Sequence, residues 1–151
     1  MKQQLSPAFL FWWRWLVVAT LGVVGAGAFF VVAPRVTREV FGLLFYGSGE
    51  ALDDLPARAV DYIAFAHGVL GAAMIGWGVA LAAIVLGPLR QAGVQAWRTF
   101  AGSLSIWFVV DSGFSLWSGF WQNAILNAVV FALFIPALVG IRRHCSERND
   151  R

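Results

Sequence analysis

Four uninterrupted apolar stretches, each about as long as a lipid bilayer is thick, decide what this chain can become. They cover roughly residues 9–33, 62–86, 98–118 and 120–141. A hydrocarbon core of about 30 Å is crossed by about 20 residues of α-helix. Backbone groups in lipid find no water and must bond within their own segment, so each stretch is expected to be helical. A barrel of strands is ruled out because the apolar runs do not alternate with polar residues. The apolar share of 60% lies well above the roughly 45–50% of soluble proteins. The expected fold is an all-α membrane protein, a four-transmembrane-helix antiparallel bundle forming one transmembrane domain over residues 1–151.

The connections differ in character. Residues 34–61 form a long loop with Arg35, Arg38 and Arg58 among Glu39, Glu50, Asp53, Asp54 and Asp61. Within it FGLLFYG, residues 41–47, is too short to cross and too apolar to float free. It is expected as a short interfacial helix beginning near Thr37, an anchor in the headgroup region or a lid at the membrane surface. The loop 87–96 is short, and only Ser118 and Gly119 separate the third span from the fourth, which makes those two antiparallel neighbours. Lys2, the apolar run and Ala26-Gly27-Ala28 imitate a secretory signal. The run continues through Val32, longer than a signal core, so an uncleaved first span is expected.

Orientation follows the distribution of Lys and Arg. Lys2, Arg14, Arg90, Arg98, Arg142, Arg143, Arg148 and Arg151 lie at one end of the spans, against Arg35, Arg38 and Arg58 at the other. Both termini are therefore expected in the cytoplasm, with the long loop outside. The net charge of +3 reflects this topology; without a polar basic face it does not point to nucleic acid. Trp12, Trp13, Trp15 and Trp97 fall at the inner boundary and Trp117 and Trp121 at the outer, as interfacial belts do. Expected partners are the bilayer and, beyond it, other membrane subunits or further copies of the chain.

The second span carries Ala64, Gly68, Ala72, Gly76 and Ala80 at four-residue spacing. Helices in lipid associate by close backbone approach along such ridges. Gly22, Gly25, Ala26 and Gly27 of the first span are the expected partners, which would make the second helix central or an oligomer seam.

Into the apolar sequence IWFVVDSGFSLWSGFWQNAILN, residues 106–127, are set Asp111, Ser115, Asn123 and Asn127. A charged Asp inside a span costs about 2.5–3.5 kcal/mol on insertion scales, so it needs partners. By helical rise, His67, Asp111 and Asn127 each fall roughly 9–11 Å from the outer boundary. The expectation is a hydrogen-bonded layer of these three, with Ser115 and Asn123 above it. Such a layer serves as a clamp fixing helix register, or as a proton-coupled or small-ligand site. If instead the third helix stops near Ser112, residues 113–122 become an interface loop and Asp111 meets water.

Catalytic signals are sparse. There is no phosphate loop, no HExxH and no carboxylate pair within a span. An acid–base pair of Asp111 and His67, isomerase-like, on a lipophilic substrate stays open as an alternative. Cys145 is the single cysteine, excluding an intrachain disulfide and a thiolate metal cluster; no metal site is expected. Lys2 is the only lysine and terminal, which excludes a retinal Schiff base. No cofactor is expected; the small neighbours Gly68 and Gly71 leave one exception open, a single haem or chlorin on His67.

The segments WFVVDSGFSLWSGFWQNAILN and HGVLGAAMIGWG resemble small bacterial inner-membrane proteins with four spans. The resemblance implies that fold and that location and transfers no catalytic residue. Small multidrug transporters also have four helices, but they are shorter and place their carboxylate in the first span, where this chain has Arg14. The expected function is a non-enzymatic accessory or lipophilic-ligand-binding membrane subunit, the alternatives being a small proton-coupled transporter or the acid–base enzyme.

Overall fold

In the computed structural model, which describes residues 6–149 and side chains as far as His144, the chain is all helical. The helices are α1 (Pro7–Val32), α2 (Pro34–Tyr46), α3 (Ala57–Leu86), a 3-10 turn at Pro88–Gln91, α4 (Val94–Trp117) and α5 (Trp121–Asn149). Among the described residues there is no strand. Four helices, α1, α3 (with the turn that follows it), α4 and α5, are long and apolar enough to cross a membrane. This is a multi-pass membrane protein by the length and composition of its helices. Lys2 and Arg151, and the side chains of Cys145 and Arg148, lie outside the described residues.

Helix boundaries follow local chemistry. Pro34 occupies the first turn of α2, where its fixed φ suits the helix and its missing N–H costs nothing. The helix expected at the interface therefore starts three residues before Thr37. Thr37 instead sits buried in the first turn, its hydroxyl donating to the Ala33 carbonyl at 3.0 Å. Pro88 opens the 3-10 turn in the same way. α4 ends in a Schellman pattern: the Phe120 N–H reaches the Ser115 carbonyl at 2.8 Å and the Gly119 N–H reaches Leu116 at 3.2 Å. Gly119 adopts φ 84°, left-handed geometry that suits glycine. α4 thus continues past Ser112 to Trp117, and residues 113–117 are helix rather than interface loop. α5 runs beyond residue 141, because RRHCSERN offers no helix stop, and Pro136 sits inside it without ending it.

Contacts group into two compact units. The first comprises residues 1–21 and 80–151 and contains all the fully buried large hydrophobic side chains: Phe9, Leu16, Leu81, Val85, Leu89, Phe100, Leu104, Phe134 and Ile141. Tryptophan indoles tie its helices together. Trp13 Nε1 donates to the Val85 carbonyl at 2.8 Å, one of the end carbonyls that α3 cannot satisfy internally. Trp15 donates to Leu133 and Trp97 to Leu138, each at 2.8 Å. Phe108 stacks on Phe131 at 4.5 Å between α4 and α5, and Phe100 meets Phe134 at 6.0 Å.

The second unit, residues 22–79, packs by shape. A Cβ placed on Gly71 would come within 2.5 Å of the Gly27 carbonyl, and one on Gly27 within 2.7 Å of the Gly71 carbonyl. Backbone meets backbone there, as side chains would forbid. Gly78 receives Val24 in the same manner. The ridge Ala64, Gly68, Ala72, Gly76 and Ala80 is a different face of α3: Ala72, Gly76 and Ala80 are exposed, and nothing lies within 4 Å of a Cβ on Gly68 or Gly76. Gly22 and Gly25 are equally open, leaving Gly27 as the close-approach glycine of α1. The reason is rotation about the axis. Three residues separate Gly68 from Gly71, about 60° around the helix, and with apolar residues on every side the spacing alone does not select the face.

Candidate functional site

The polar side chains of the third and fourth spans converge at the turn between α4 and α5. Asp111 and Ser115 are one helical turn apart on α4 and Asn123 stands on the first turn of α5, so the tight connection at 118–120 brings them face to face. The Asn123 side-chain amide donates to Asp111 Oδ1 at 3.1 Å and to Ser115 Oγ at 2.8 Å. One nitrogen with two hydrogens thereby serves two acceptors. The Ser115 hydroxyl donates to the Asp111 main-chain carbonyl at 2.7 Å, with Asp111 Oδ1 at 3.4 Å. Ser115 is buried and Asp111 and Asn123 half-buried.

One turn further along α5 lies Asn127, 4% exposed. Its amide reaches Ser112 Oγ at 3.4 Å, the outer limit of a hydrogen bond. Ser112 was missed by sequence reasoning, although its place three residues before Ser115 was a signal that a second serine faced α5. In chemical terms the assembly presents one carboxylate whose Oδ1 accepts from a side-chain amide on the neighbouring helix. Of the serine's two acceptors the backbone carbonyl is the nearer, at 2.7 Å against 3.4 Å for Asp111 Oδ1.

His67 lies in the other unit. Its ring stacks on Phe41 of α2 at 5.5 Å and 8°, with Phe30 edge-on at 6.3 Å. Phe30 and Phe41 also meet each other at 5.7 Å, and Phe41 continues into Phe45 at 5.3 Å. Nδ1 is buried and makes no hydrogen bond of good geometry among the described residues, although the imidazole interacts with the Ile63 main chain one turn earlier. The layer expected to join His67 to Asp111 and Asn127 thus has members in both units, and each is held by neighbours from its own: the imidazole by rings, the carboxylate by donors.

α2 positions those rings. Thr37, Phe41 and Phe45 share one face, directed into the unit, whereas Val36, Val40, Leu43 and Leu44 form a second, exposed apolar face. Arg35 and Glu39 lie between the two on the exposed side. The chain after α2 folds back on it: Gly47 takes φ 78°, and Arg38 pairs with Asp53 at 2.8 Å.

At the opposite end of α4 and α5 lies a feature the sequence reading did not anticipate, a groove of about 680 Å³ whose lining includes Trp97, Phe131, Ile135 and Arg142. Arg142 stands over the Trp97 ring at 5.1 Å, and nearby Arg90 stands over Trp13 at 5.0 Å. Comparison with protein-family models, with curated proteins and with solved structures finds no match to this chain.

Proposed function

We propose that this chain is a non-enzymatic accessory subunit of a bacterial inner membrane, with both termini in the cytoplasm and the α2 loop outside. In this reading the Asp111–Ser115–Asn123 cluster is a clamp that fixes α4 against α5. The observation that carries it is the directed use of every donor: the Asn123 amide is spent on Asp111 and Ser115, and the Ser115 hydroxyl on a main-chain carbonyl. A clamp needs an acceptor at position 111 and not a titrating group. The orientation rests on Arg90, Arg98, Arg142 and Arg143 gathering at the end opposite the acid-rich loop.

Asp111→Asn is the discriminating variant, because the amide keeps an oxygen facing Asn123 and loses the charge. Wild type and variant, reconstituted in vesicles enclosing a pH-sensitive dye, are expected to show the same proton leak and the same retained partners after gentle extraction. Proton-coupled flux present in the wild type and absent in the variant would replace the accessory reading with the transporter. Labelling of Cys145 by a membrane-impermeant thiol reagent on intact cells would reverse the orientation.

A further inference from the structure

The groove between α4 and α5 has one apolar wall from each helix. Trp97, Ala101 and Ser105 lie at four-residue intervals along α4, and Phe131, Ile135 and Leu138 at intervals of four and three along α5. Ala101 and Ser105 are short, and their shortness leaves room along the seam where the two helices meet. Arg142 and Arg143 stand at one end of the groove. Phe131 and Arg142 are eleven residues apart on one helix, about 16 Å by helical rise. Half of a hydrocarbon core of about 30 Å is one leaflet. The groove is therefore about as long as a single leaflet is deep, and its volume of about 680 Å³, open along one side, is within the roughly 300–1,000 Å³ of ligand clefts.

The charge at its mouth is predominantly basic, the nearest acid in the sequence being Glu147, one helical turn beyond Arg143. No Asp or Glu occurs between Asp61 and Asp111, or between Asp111 and Glu147. Arg142 packs its guanidinium over the Trp97 ring, and Trp97 is itself fixed by its bond to the Leu138 carbonyl. Stacking holds the plane of a guanidinium while leaving its in-plane N–H groups to grip a phosphate. Basic pockets between transmembrane helices take up anionic headgroups for these reasons.

We propose that this groove is a binding site for one anionic phospholipid, with an acyl chain lying between α4 and α5 and the headgroup phosphate held by Arg142 and Arg143. The site rests on the helices crossing a bilayer and is independent of whether the Asp111 cluster is a clamp. Its occupant comes from the leaflet at the arginine end, and it joins the two helices at the end opposite their polar cluster.

The test is native mass spectrometry of the protein released from vesicles of equimolar phosphatidylglycerol and phosphatidylethanolamine. The wild type is expected to retain one phosphatidylglycerol with at least about a tenfold preference. The double variant Arg142→Gln/Arg143→Gln is expected to lose the preference while keeping its helix content. Ala101→Phe, which fills the groove and leaves both arginines in place, is expected to lose the bound lipid. Equal retention of both lipids by the wild type means annular lipid only and overturns the proposal, as does undiminished phosphatidylglycerol binding in Ala101→Phe. Displacement of the lipid by millimolar inorganic phosphate would show that the headgroup alone is recognised and would overturn the acyl-chain part. Proton flux measured on the same variants keeps this outcome separate from that of Asp111→Asn.

Discussion

The α4–α5 turn and the α1–α3 contact solve one problem by opposite means. Lipid tails are as apolar as leucine, so helices in a bilayer gain little by hiding apolar surface from it. At the turn, α4 and α5 are joined by a carboxylate, two hydroxyls and two amides, with distances from 2.8 to 3.4 Å. In the 22–79 unit, α1 and α3 are joined by two glycines whose absent side chains let backbone approach backbone. The first device is directional and tolerates a gap, since a hydrogen bond acts across about 3 Å. The second acts by dispersion, summed over many atoms and lost with small separations. Shape should therefore be the less forgiving of the two.

The largest effect is expected where shape decides. Gly71→Ala puts a methyl group against the Gly27 carbonyl and Phe30 Cβ, and should cost about 1–3 kcal/mol as an overpacked contact. Gly68→Ala, one turn away with nothing within 4 Å of the new methyl, should be neutral or stabilising by up to about 1 kcal/mol, because alanine is the better helix former. Unfolding midpoints of the two variants in mixed micelles test this directly. Equal effects would mean that the 64–80 ridge, and not the Gly27–Gly71 contact, carries the packing.

These two glycines also mark what can be read in the sequence. The first three spans were legible to within about five residues because bilayer thickness sets a length and composition fills it: residues 62–86 were expected and Ala57–Leu86 found, whereas α5 runs eight residues past the expected end at 141. The convergence of polar residues from the third and fourth spans could be read from the short connection between them, but the pairing could not: Asp111 was expected beside Asn127, whereas Asn123 bonds Asp111 and Asn127 reaches Ser112. Rotation of a helix about its axis could not be read either. α1 and α3 are apolar all round, so periodicity marks no inner face, and Gly68 and Gly71 look alike until a neighbour is in place. His67 was read by depth, and depth says nothing of the azimuth that set it against Phe41. The groove escaped notice because it is made by two short residues, Ala101 and Ser105, facing across to another helix.

An intermediate effect is expected where hydrogen bonds decide. Asn123→Leu removes the donor shared by Asp111 and Ser115 and leaves a half-buried carboxylate unserved, at about 1–3 kcal/mol. The informative variant is the double, Asn123→Leu with Asp111→Leu. If the pair is a clamp, replacing both partners by apolar groups should recover most of that loss, because nothing is left unsatisfied. A double variant as unstable as the single would show that Asp111 has a further partner, and would favour a ligand or proton role for the carboxylate.

The smallest effect is expected at the periphery of the same network. The Asn127 amide meets Ser112 Oγ at 3.4 Å, where a hydrogen bond has lost much of its strength. Interhelical bonds in membrane proteins average about 0.6 kcal/mol, so Ser112→Ala should cost no more than about 0.5 kcal/mol. The methyl of alanine fills nearly the volume of the serine side chain, which removes packing from the comparison and leaves the bond alone. Asn127 is more deeply buried than Asn123, and burial by itself would rank it the more important of the two. A loss from Ser112→Ala equal to that from Asn123→Leu would show that depth in the bilayer outweighs bond length. A loss near zero would place the strength of the hairpin at its turn, where three short bonds converge on one amide and one hydroxyl.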